Sequence, residues 1–211
     1  MNADFEPVMA ALLARFQAAT VLAFTADATA TSPVLANVSS FTGLFVGLPV
    51  TGPGAARGAT IAALDPGART VTLTDPAETS GTAQAFTAGF LSWSRRLQHW
   101  GQGVPAPAGF LRRIGFEVAY DELLPVTTVE AEVWIYCDAG EDPDLAPDVG
   151  LAALEQLVAG AALAPDTDYG DPRCTLAGTV YWARIEGRAD SWPGDQAGRA
   201  VSRIPLRITL P

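Results

Sequence analysis

The chain contains no lysine, and histidine occurs once, at His99, in 211 residues. All thirteen basic residues are arginines, and alanine, glycine and proline abound, which fits a GC-rich coding sequence and lowers the weight of any single arginine. A lone imidazole excludes sites that need two within one chain. A Ser-His-Asp triad would have to be built around His99, and no serine sits in a GxSxG elbow. Cysteine is almost as scarce: Cys137 and Cys174 match no CxxC or zinc spacing and read as buried free thiols, with a single disulfide as the alternative. Long apolar runs are missing too. The opening MNADFEPVMAALLARF has no basic leader and is broken by Asp4, Glu6 and Arg15, so it predicts neither a signal peptide nor a membrane span, and synthesis in the cytoplasm is expected.

Acids outnumber bases, for a net charge of −10, which argues against a general nucleic-acid binder. The charge is unevenly placed. Residues 121–172 hold thirteen acids and no base, whereas residues 173–211 hold six arginines against Glu186, Asp190 and Asp195. That predicts one acidic and one mildly basic surface, the alternative being a solvated acidic face that serves only solubility. Within the acidic stretch Asp138, Glu141, Asp142, Asp144 and Asp148 lack EF-hand spacing and are interrupted by prolines, and a loop leading to a helix N-terminus accounts for them. The glycines of GPGAARG, 52–58, are followed by no GK[ST], which leaves nucleotide binding without support. No carboxylate pair is singled out for glycoside hydrolysis. No catalytic, cofactor or metal site is therefore expected.

What the chain does have is 49% hydrophobic residues in patterns that place secondary structure. Phe5, Val8, Met9, Leu12, Leu13 and Phe16 fall on one face of a helix over 4–19, with Asp4 able to cap it and Pro7 in its first turn. From 20 to 89 charges thin out, and ATIAAL (59–64) and TVTLT (70–74) flank Asp65-Pro66-Gly67, which predicts a hairpin. Runs near 46–50 and 83–87 complete a small all-β module. Val129, Ala131, Val133 and Ile135 alternate with polar and aromatic neighbours as a half-buried strand requires. A helix is expected from Leu151 through Leu154, Leu157 and Val158 to Ala161, then strands over 175–186 and 200–210. Pro205 marks the last of these as an edge or bulged strand.

Three runs in this order, SRRLQHW (94–100) with PAPAGFLRR, then AEVWIYCDAGEDPDLAPDVGLAALEQLVAGAALAPD (131–166), then VYWARIEG (180–187) with the closing PGDQAGRAVSRIPLRITLP, resemble the tail terminator proteins of long-tailed bacteriophages, also called minor tail or tail completion proteins. The resemblance covers residues 1–19 and 90–211. Residues 20–89 depart from the pattern and look like a β module common in phage structural proteins, inserted in a loop. Pattern and resemblance together predict an α/β (α+β) fold, a mixed or antiparallel sheet packed with two helices, carrying an inserted small all-β domain.

The resemblance implies a homo-oligomeric ring, usually a hexamer, in the tail or neck of the virion. Such a ring caps the tail tube protein and joins it to the head-tail connector or neck protein, while DNA passes without specific binding and no membrane is involved. Arg95, Arg96, Trp100, Arg203 and Arg207 are the expected subunit or tube contacts, and Asp138, Glu141, Asp142 and Asp144 the expected lumen- or tube-facing acids. A local salt bridge with tryptophans in the core accounts equally for SWSRRLQHW. Another neck ring, or a binding or decoration module acting through 20–89, is the alternative function.

Overall fold

A computed structural model of the chain describes residues 5–98, 103–104, 106–121, 124–138, 175–176, 178–196 and 198–210. The first element is α1 (Glu6–Ala19), which buries Val8, Met9, Leu12 and Phe16. A helix of this length is marginal alone. Four buried side chains, contributing roughly 1.5–3 kcal/mol each, hold it in place. Phe5 is its N-cap and makes no side-chain capping bond, and Asp4 lies outside the described residues.

Residues 21–89 form six short strands in two three-stranded sheets. In one, β1 (Val21–Ala28) and β3 (Val50–Thr51) flank β6 (Gly81–Gly89). In the other, β2 (Val34–Leu35) and β4 (Ile61–Asp65) flank β5 (Thr70–Leu73). The expected hairpin is β4–β5, and the Asp65 carboxylate tightens its turn by accepting the Ala68 N–H at 2.9 Å. Two isolated bridges, Asp27 to Ala36 and Pro49 to Thr60, join the sheets edge to edge, giving the closed order β1-β6-β3-β4-β5-β2. Closure removes the open edges that short strands would otherwise present. Inside, Phe24 and Phe86 stack with centroids 5.6 Å apart. Gly52 runs close above them, where a Cβ would meet the Phe86 ring at 2.5 Å.

The remaining strands build one larger sheet. Its order is β10 (Trp182–Ile185), β12 (Arg199–Leu210), β9 (Leu124–Asp138), β8 (Ala108–Asp121) and β7 (Ser92–Ser94), with β11 (Asp190–Gln196) on the same side of β12 as β10. Only β7 runs parallel to its neighbour. On one face Leu111, the odd residues from Val129 to Cys137, and Ala200, Ile204, Leu206, Ile208 and Leu210 join α1 and the barrel interior in a single hydrophobic cluster. On the other face Val104, Ala108, Phe110, Tyr136 and Val201 form a smaller one.

Two expectations are corrected. Among the described residues there are one helix, twelve strands and three sheets, so this is a predominantly β chain and not a sheet packed with two helices. Strands as long as the 14 residues of β8 and 15 of β9, together with the barrel, outweigh α1. The expected helix over 151–161 lies outside the described residues. The last strand is not at an edge either: β12 pairs with β9 from Arg199 to Leu210 and with β10 and β11 on its other side. Pro205 is tolerated because its carbonyl, which accepts the Glu186 N–H at 3.2 Å, faces the break between β10 and β11. Its missing N–H would point to the same break, so the β9 pairing loses nothing.

Candidate assembly interface

With β9 and β12 paired on both sides, the two outer margins of the large sheet are open among the described residues. β7 covers only Ala108 to Phe110, so beyond that point the outer edge of β8 has no strand partner among the described residues. At the far end the outer edge of β10 is equally open among them.

A bulge shapes the β8 edge. Arg113 opposes Ala131 and Gly115 opposes Glu130, so Ile114 is the extra residue and the alternation restarts at Gly115. Phe116, Val118 and Tyr120 then lie on the face that carries the main core but at its margin, and they are 57%, 41% and 85% exposed. Phe5 covers part of this stripe, its ring 5.1 Å from that of Phe116, and the Arg113 guanidinium sits 4.6 Å from the Phe5 centroid. Tyr181, beside the start of β10, is 55% exposed. With Ile114, these make five of the nine exposed large hydrophobics among the described residues. A row of apolar side chains along an unpaired edge is a surface that pairs with another strand unless something blocks it.

The arginines expected at the interface do not gather in one place. Arg95 follows β7 and pairs with Glu6 of α1. Arg96 is exposed, its N–H bonded to the Ser94 hydroxyl at 3.1 Å. Arg203 and Arg207 lie on the outer face of β12, where Arg203 bridges Glu132 at 3.3 Å and Asp190, while Arg207 meets Glu186 at 2.8 Å. Arg184 bonds the same Glu186 at 2.6 Å. Burial works against ionisation of Glu186, but hydrogen bonds from Arg184 and Arg207 prevail and hold its carboxyl below the usual range. Asp138 is tied to Arg199 at 2.5 Å. His99, Trp100, Glu141, Asp142, Asp144, Asp148 and Cys174 lie outside the described residues.

Trp93 takes the core role weighed for this run. Its ring stacks on Phe16 and on Phe90, each at 5.5 Å, and its indole N–H donates to the Thr20 hydroxyl at 2.8 Å. The β8 stripe was missed from sequence because LRRIGFEVAYD alternates like any half-buried strand. Only its place on a strand with no outer neighbour among the described residues makes it exposed.

On the barrel, a shallow hollow of about 360 Å³ is lined by Thr25, Ser39, Thr51 and Thr87. Two of these hydroxyls, on Thr51 and Thr87, already bond each other at 2.7 Å, and Phe24 and Phe86 stay buried beneath, so no aromatic platform faces outward. Among the described residues no three His, Cys, Asp or Glu side chains converge, and no helix is long and apolar enough to cross a membrane. Neither a protein-family model nor a curated protein matches the chain.

Proposed function

We propose that this chain is a structural assembly protein that closes into a ring of identical copies, caps a phage tail tube and joins it to the head. The observation that carries the reading is the pair of sheet edges, open among the described residues, that bear exposed apolar residues, Ile114, Phe116, Val118 and Tyr120 on one and Tyr181 beside the other. Two unlike edges on one sheet make a heterologous interface, the kind that closes by rotation. The resemblance of the SRRL, DP-loop and closing-strand motifs to tail terminator proteins supports the capping role, with another ring of the neck as the alternative. The net charge of −10 suits passage of DNA without adhesion.

The test is negative-stain imaging of the purified chain mixed with tail tubes. Rings seated at one tube end, with tube growth stopped, are expected. Rings that ignore tubes would move the role to another part of the neck, and a chain that forms no ring at any concentration would overturn the reading.

A further inference from the structure

The ring reading leaves open how one copy meets the next. Resting on that reading, we infer that the open edge of β8 pairs antiparallel with the β10 edge of a second copy, Phe116 opposite Ile185, Glu117 opposite Arg184 and Val118 opposite Ala183.

Backbone direction allows it. β8 runs antiparallel to β9, β9 to β12 and β12 to β10, so β8 and β10 run in opposite senses. Copies related by rotation about an axis along the strands would therefore pair antiparallel.

Hydrogen-bond alternation selects the residues. The bond from Glu186 N–H to the Pro205 carbonyl shows that Glu186, and with it Arg184, turn their backbone groups toward β12. Ala183 and Ile185 thus face outward. Carried across the sheet, the same alternation turns Leu206 toward β9, Ala131 toward β12 and Glu130 toward β8. Gly115, opposite Glu130, and then Glu117 face β9, so Phe116 and Val118 present their N–H and C=O groups outward. The two edges offer bonding positions with the same two-residue spacing.

Side chains agree with the backbone. Phe116 and Val118 stand on the main-core face, as do Ala183 and Ile185 through their partners Ile208 and Leu206. The pairing extends that core across the boundary and brings Tyr120 toward Tyr181. On the opposite face Glu117, which takes no ion pair among the described residues, meets Arg184. Arg184 keeps its bonds to Glu186, a carboxylate it shares with Arg207, so Glu117 adds negative charge beside two guanidinium groups. A shift of two residues one way sets Glu117 against Glu186, a like-charge pair. The shift the other way draws the bulged Ile114 into the pairing. The register above avoids both.

Two variants test it. Glu117→Cys with Arg184→Cys places thiols at a non-hydrogen-bonded position, where Cα atoms lie about 4.5 Å apart and a disulfide fits. Mild oxidation is expected to give a series of cross-linked species ending at the ring size, absent in wild type and in each single variant. Val118→Pro removes an outward N–H that no strand among the described residues uses, so the monomer should stay folded by circular dichroism while self-association weakens at least tenfold. Val118→Pro rings that form normally, together with double-cysteine rings that stay uncross-linked on oxidation, would overturn the pairing and leave the ring reading standing. A wild-type chain that stays monomeric at every concentration would overturn both.

Discussion

Gly109 is where the two halves of the chemistry around Trp93 can be separated. A Cβ at this position would lie 2.5 Å from the six-membered ring of Trp93, with no flexible end to give way. The ring has no room to move, since Phe16 and Phe90 stack on it at 5.5 Å and the Thr20 hydroxyl holds its N–H. Gly109→Ala should therefore destabilise the fold by about 1–3 kcal/mol through overpacking, even though alanine in a strand interior is ordinarily better than glycine by about 0.5–1 kcal/mol. Trp93→Leu alone should cost less than the ~3–5 kcal/mol of full truncation. In that background the clash is gone, so adding Ala at 109 should be neutral or mildly stabilising. Urea unfolding followed by far-ultraviolet circular dichroism measures all four corners of this cycle without relying on tryptophan emission. Additivity within about 0.5 kcal/mol would refute the claim that a fixed indole is what requires glycine there.

Two further outcomes follow from titratable groups. Asp27 accepts Asn37 at 2.6 Å and the Ala83 N–H at 2.7 Å across the barrel seam, and these bonds hold its carboxyl below the usual aspartate range. A lowered folded value means stability present above the ordinary value of about 3.9 and lost as pH falls below it. Asp27→Ala should thus lower the urea midpoint near pH 6 by an amount that shrinks toward pH 3, and a difference constant over that range would contradict the assignment. Burial, and secondarily the Asp138 charge, push the Cys137 thiol up to about 12, against a smaller opposing effect of Arg199. Iodoacetamide at neutral pH should modify it only after unfolding, as read by peptide mass spectrometry, whereas rapid labelling of the native chain at that residue would show it to be accessible.

Much of the local structure was legible because it depends on local chemistry. The apolar face of α1, the Asp65-Pro66-Gly67 turn and the alternation from Val129 to Ile135 each carry their own signal. The misreadings share a cause: they concern what lies beside a segment. Pro205 marks an edge only if both flanks are uniform, and here one flank is broken between β10 and β11 opposite the proline itself. β11 contains Pro193 and Gly194, yet it pairs with β12 on either side of an irregularity between Trp192 and Gln196. The closure of the barrel rests on two single bridges, which leave no periodic trace. The expected fold class gave weight to helices read from the apolar spacing of 4–19 and 151–161, while the strand content of 20–89 and of the β8–β9 hairpin decides it. The candidate site was half legible: Arg95, Arg203 and Arg207 stood out as charges, but they are engaged within the chain, and the apolar edge of β8 became visible only once the strand order placed it at the margin of the sheet.

The measurement that bears most directly on the account is native mass spectrometry of the purified chain across a concentration series. The account predicts a jump from monomer to one discrete closed species of about six copies, because a heterologous interface gains its last contact only when the ring closes. A monomer at every concentration, or an open-ended series with no preferred size, would contradict it.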